Sequence, residues 1–201
     1  MFTYAPPNTR KLALLAILTA IVAVLQFLGA FVRFGPFSVS LVLMPIAIGA
    51  ALIGSLAGGW LGLVFGSVVL ASGDANAFFM INPAGTIIVV MLKGILAGLA
   101  AGSVYKLLSG VSKTIGAVAA AVACPVVNTG IFIIGSYLFF LPTLTEWEMA
   151  AGFTNTTAFI FIGLIGTNFL FELGLNVILS PAIVRLIQFG QDRFSGGKTG
   201  S

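Results

Sequence analysis

The chain has 201 residues, 59% of them hydrophobic and 7% charged, with a formal net charge of +4, one cysteine and no histidine; its mean hydropathy is +1.17. A soluble domain carries about 25% charged residues to wet its surface. Nine Lys and Arg with five Asp and Glu are too few for that here, so the natural solvent is a bilayer. The bases do not gather on a soluble face, which removes nucleic acid as a partner. The lack of histidine removes imidazole metal sites and Ser-His catalysis, and Cys124 by itself forms no intramolecular disulfide.

A helix needs roughly 20 apolar residues to cross the hydrocarbon core. In chain order, a first span is expected at about 11–33 after "APPNTRK", a second at about 38–54 and a third at about 56–72, joined by the turn "GSLAGG". The stretch "SGDANAFFMINPAGT" (72–86) then interrupts the apolar pattern. A fourth span is expected at about 86–108, a fifth at about 114–141 and a sixth at about 157–189. The expected fold is therefore an all-α membrane protein with six transmembrane helices. Residues 1–10 form an N-terminal segment, 11–189 the membrane domain and 190–201 a flexible tail.

Lys and Arg mark cytoplasmic ends. With the N-terminus inside, Arg10, Lys11, Lys106, Lys113, Arg185, Arg193 and Lys198 are cytoplasmic, Arg33 is outside and Lys93 lies within the membrane. Both termini are then cytoplasmic, and 33–37, 72–86 and 142–157 are outer loops. These loops form either a binding mouth or ordinary interfacial connections with an aromatic belt. In the mouth reading, 72–86 is part of a lid. Asp74, Asn76 and Asn82 supply hydrogen bonds, Phe78 and Phe79 a dry wall, and Pro83 with Gly85 the re-entry into the fourth helix. Trp147 and Phe153 add flat apolar surface.

Between helices in lipid, close packing depends on small residues. Gly58, Gly62 and Gly66 recur every four residues on the third span and Gly94, Gly98 and Gly102 on the fourth, a pattern suited to sealing the bundle. On the first helix Ala13, Ala16, Ala20 and Ala23 share one narrow face. Spacing by itself favours internal packing there over docking to another membrane protein.

Ionisable groups inside a membrane cost roughly 2.5–3.5 kcal/mol each on insertion scales and are functional candidates by default. Lys93 lies about seven residues into the fourth span, roughly 10 Å down, and Glu172 sits near the middle of the sixth. They pair with each other or cap backbone, or Lys93 lines a cavity and contacts a ligand. Asn168, Glu172 and Asn176 are spaced four apart and form one polar stripe; Asn128 follows Pro125 on the fifth span. The tail "SGGKTGS" lacks the first glycine of a phosphate-binding loop, since that position is Asp192. No catalytic constellation stands out, so no enzyme activity, cofactor or metal is expected.

The stretches "FGPFSVSLVLMPIAIGAALIGSLAGGWLGLVFG", "INPAGT" with "LKGILAGLAAGSVYK", and "NFLFELGLNVILSPAIVRLI", together with the Ala16-x-x-x-Ala20 face, carry a resemblance across residues 10–190. The chain resembles the substrate-binding S component of energy-coupling factor (ECF) vitamin transporters. That resemblance implies an S-component-like bundle in a bacterial cytoplasmic membrane, holding a vitamin near the outer face. It implies a coupling transmembrane subunit and two ATPase subunits as partners, with Ala16 and Ala20 at the docking motif and inward delivery by toppling of the bundle. Lys93 and Asn128 fall where relatives place ligand-contacting groups; Phe78, Phe79, Asn82, Asn168 and Glu172 complete the candidate site. Mutual neutralisation of Lys93 and Glu172 suits an uncharged cargo, with riboflavin first; an unpaired Lys93 suits an anion such as pantothenate. The alternative from another class is a self-sufficient ion-coupled secondary transporter, for which Pro45, Pro125 and Pro181 are the best support.

Overall fold

The computed structural model describes residues 7–29, 33–34, 37–38, 41–166, 169–170, 172–176, 178 and 184–185. Helix α1 runs Pro7–Gly29, and the strands β1 (Arg33–Phe34) and β2 (Phe37–Ser38) pair antiparallel after it, with Phe34 opposite Phe37. Helices α2 (Leu43–Leu52) and α3 (Ser55–Ala71) follow, then the short α4 (Asn76–Phe79) and the long α5 (Pro83–Leu108). Helix α6 (Lys113–Gly135) passes through a π-helical turn, Ser136–Phe140, into α7 (Leu141–Ala150). Helix α8 (Thr156–Ala158) leads into a second π-helical turn, Phe159–Leu164, and the described residues from 166 to 185 are helical.

Helices α1, α5 and the continuous Lys113–Ala150 stretch are long and apolar enough to cross a membrane, whereas α2 and α3 are shorter apolar helices. Two expected boundaries are corrected. The second span begins at Leu43 rather than 38, since Phe37–Ser38 pairs with Arg33–Phe34 instead. Its ten residues cover about 15 Å at 1.5 Å each, half the hydrocarbon core. The outer loop expected at 142–157 is mostly helix: Pro142 stands in the first turn of α7, where its missing N–H costs nothing. Leu144 and Glu148, four apart, give that helix a buried face. The true connection is 151–155, turned by Gly152 at φ +76°. The expected tail at 190–201 lies outside the described residues.

Helix starts follow local chemistry. Asn82 caps α5 by accepting from the Gly85 N–H at 2.9 Å, with Pro83 next in sequence. Ser112 caps α6 on the Ile115 N–H at 3.4 Å. Gly54, at φ +132°, makes the tight α2–α3 turn that a side chain would strain.

Helix α5 is central, packed on α3 and α6. The expected glycine seam is present and antiparallel: Gly58 faces Gly98, Gly62 faces Gly94, and Gly66 faces Val90. A Cβ on Gly62 would run into the Gly94 carbonyl, and one on Gly98 into that of Gly58, so the backbones themselves are in contact. Helix α1 turns Leu18, Val22 and Gln26 inward. Ala13, Ala16 and Ala20 are exposed and Ala23 is half-buried, so most of the alanine face does not pack internally.

Candidate functional site

At the end of the bundle formed by the C-terminal ends of α1 and α3 and the N-terminal end of α5 lies a cavity of about 90 Å³. By that measure one water needs roughly 10–15 Å³, so this is no packing fault. Helix α1 contributes Gln26, α3 contributes Phe65 and Val69, and the turn before α4 contributes Asp74 and Ala75. Thr86, Val89, Val90 and Lys93 come from α5, and Asn128, Thr129 and Phe132 from α6. The later segments close the ring with Phe140, Leu164, Ile165, Phe169 and Glu172.

Among the described residues, Lys93 is the cation that lines this chamber. Its Nζ sits 5.6 Å from the centre of the Phe65 ring and 5.7 Å from that of Phe132, within the range where ring quadrupoles attract a cation. The carboxylates acting on it electrostatically are Glu172 and then Asp74, both in the same wall. Glu172 is buried, and the Nδ2 of Asn176 donates to its backbone carbonyl at 2.8 Å. Asn128 is 6% exposed, and its Oδ1 has no hydrogen-bond partner among the described residues. A buried amide oxygen without a donor costs about 1–3 kcal/mol, a penalty that a donor on a bound molecule would remove.

The mouth side is aromatic. Phe78 lines the cavity and packs against Phe132 (5.4 Å, edge-on), Phe140 (5.0 Å) and Trp147 (5.8 Å). Trp147 belongs to α7, in the segment expected as loop, so this cluster is anchored by a helix. The 151–155 connection is pinned by Glu148, which accepts from the Thr156 hydroxyl, and by Asn155 Oδ1, which accepts from the Ala158 N–H at 3.1 Å.

Of the residues proposed from sequence, the structure brings Phe78, Lys93, Asn128 and Glu172 to one cavity. Phe79 and Asn82 are not part of its wall: Phe79 is 38% exposed on the far side of α4, and Asn82 is occupied as the cap of α5. Consecutive residues on a single helical turn point about 100° apart, so Phe78 and Phe79 cannot share one wall. Asn168 lies outside the described residues. We expect Asn82→Ala to lower the thermal midpoint through a lost cap of about 1 kcal/mol, with ligand affinity changed less than threefold in a calorimetric titration. A tenfold loss of affinity would return Asn82 to the site.

Sequence reasoning missed Gln26, Thr86, Thr129 and the ring residues Phe65, Phe132, Phe140 and Phe169. Gln26 carried a signal, being an amide in an otherwise apolar helix. The phenylalanines carried none, since 18 are spread through the chain.

No solved structure matches the chain. The pantothenic acid transporter PanT of Lactococcus lactis subsp. cremoris (strain MG1363) is 30% identical over 189 residues, covering 86% of this chain and 90% of that protein. Residues 10–184 match the sequence family described as the ECF transporter, substrate-specific component. With nearly the whole bundle inside that match and apolar helices long enough for a bilayer, this chain belongs to the family of ECF transporter substrate-specific components.

Proposed function

We propose that the chain is the membrane-embedded binding subunit for pantothenate in a bacterial cytoplasmic membrane. The observation that carries the reading is Lys93, an ammonium set between two phenylalanine rings in the wall of a largely buried chamber. Pantothenate brings a carboxylate for that cation, together with an amide and hydroxyls whose protons suit Asn128, Asp74 and Glu172. The similarity to a pantothenic acid transporter supports the same cargo. Riboflavin, the first choice when Lys93 and Glu172 are taken to cancel, ranks second because the similar protein is a pantothenic acid transporter.

Exposed Arg10, Lys11, Lys106 and Lys113 lie at the start of α1, the end of α5 and the start of α6, opposite the cavity. By the positive-inside rule this supports a cytoplasmic basic end and an outward chamber, with six spans across 11–189 and both termini inside. The sequence holds no nucleotide-binding loop, so delivery rests on a coupling transmembrane subunit and two ATPases, and the exposed Ala16 and Ala20 face is where the first of these docks.

Calorimetric titration of the purified chain should give a pantothenate Kd near or below 1 μM, about −8 kcal/mol, with riboflavin at least a hundredfold weaker. Tight riboflavin binding with none for pantothenate would overturn the cargo assignment. Ala16→Trp or Ala20→Trp should leave that titration unchanged and abolish co-purification with the coupling subunit, because bulk holds helices apart where van der Waals packing is the attraction. Ion-driven accumulation by vesicles holding this chain without ATPases would instead establish the secondary-transporter reading.

A further inference from the structure

The chamber and the partner-facing helix meet in one side chain. Gln26 lies one and two helical turns beyond Val22 and Leu18 on the inward face of α1 and is 1% exposed. At about 100° per residue, Gln26 lies roughly 80° around the helix from Ala16 and roughly 120° from Ala20. A primary amide buried in an apolar helix must find partners. Its Nε2 donates to Asp74 Oδ2 at 3.1 Å, across 48 residues of chain, and both residues line the cavity. A second polar tie holds α1 lower down: Trp60 Nε1, on α3, donates to Thr19 Oγ1 at 3.1 Å. Thr19 precedes Gln26 by seven residues, about 10 Å along the helix. The two ties anchor α1 at different depths, one to the chamber wall and one to the glycine-seamed helix α3.

We propose that the Gln26–Asp74 hydrogen bond couples the filling of the chamber to the position of α1. This rests on the binding-subunit reading above and extends it from capture to signalling. Asp74 presents its carboxylate to Gln26 and to the cavity at once. A cargo hydroxyl donating to Asp74 draws that carboxylate toward the cargo, Gln26 follows, and α1 shifts as a rigid rod against α3. Gln26 is then a positioning residue whose effect appears at the adjoining alanine face of its own helix. Linkage makes the coupling reciprocal: a partner seated on the alanine face changes cargo affinity by the factor that cargo changes partner affinity.

The chain has two tryptophans, Trp60 and Trp147, so a Trp147→Phe protein reports on the α1–α3 tie through Trp60 alone. Pantothenate, added to saturation as judged by calorimetry on each variant, should change Trp60 emission with a midpoint at the calorimetric Kd. Gln26→Met, saturated at its own Kd, should lose that change by at least fivefold. Asp74→Asn, which has one acceptor oxygen where the carboxylate has two and cannot accept from Gln26 and the cargo on separate oxygens, should lose it as well. Should Gln26→Met fail to fold, Gln26→Asn, one methylene shorter, is expected to lose the response in its place. An undiminished Trp60 response in the Gln26 variant, or no response in Trp147→Phe protein that binds pantothenate, overturns the coupling. Absence of pantothenate binding by the unaltered chain overturns the functional reading itself, and the coupling with it.

Discussion

Lys93→Met should leave a folded protein that binds pantothenate at least a hundredfold more weakly. Methionine fills a similar volume and remains at home between Phe65 and Phe132, so the walls of the chamber stay in place. What is lost is a charge-assisted contact, worth about 1.5–3 kcal/mol, in surroundings where Phe65, Phe132 and Phe169 hold water back. A hundredfold change in Kd corresponds to about 2.7 kcal/mol, inside that range. Calorimetry on the variant gives the affinity and a thermal melt gives the fold. If Lys93 instead serves mainly to neutralise Glu172, the single variant loses stability, because a buried carboxylate without its cation costs several kcal/mol. Lys93→Met with Glu172→Gln then restores the melting temperature. A stable Lys93→Met protein with full affinity would remove Lys93 from both roles.

The larger effect on the fold is expected at the α3–α5 seam. Gly62→Val should destabilise the protein by about 3 kcal/mol or more, or prevent its accumulation altogether. The new Cβ would lie against the carbonyl carbon and oxygen of Gly94, and no rotamer change moves a backbone out of the way. The helices must separate, and in lipid their close approach is itself the attraction. Gly130→Ala on α6 is the matched control: a Cβ there meets nothing within 4 Å. Replacing a glycine inside a helix should be neutral to stabilising, by up to about 1 kcal/mol. Equal melting temperatures for the Gly62 and Gly130 variants would show that the seam is not a backbone contact.

Much of the fold was legible because its causes are local. Glycines four apart on two spans announced the seam, and Pro83 with Gly85 marked the re-entry into α5, while Asn82 was read as a lid group and not as its cap. The polar residues Lys93, Asn128 and Glu172 stood out against an apolar background, and the fold brings them to one chamber. What stayed hidden depends on tertiary direction. Phe78 and Phe79 are alike in sequence, and only the placement of α4 decides which faces inward. Pro142 looked like a loop signal because proline marks both loops and first turns of helices, and the buried face of Leu144 and Glu148 decides between them. Spacing on α1 defined an alanine face without saying what it faces. That answer needed α2 and α3 in place against Leu18, Val22 and Gln26.

The π-helical turn at Ser136–Phe140 gives the long sixth helix a built-in register offset. Such a turn accommodates an extra residue relative to α-geometry, so the chain beyond it is rotated compared with an uninterrupted helix. That rotation sets Leu144 into the core and Trp147 against Phe78. Loss of a single residue there would swing everything C-terminal to it by about 100°, carrying the aromatic wall away from the chamber while leaving composition and hydropathy almost untouched. Among relatives of this chain, a gap within these five residues would therefore mark a displaced aromatic wall even where composition is preserved.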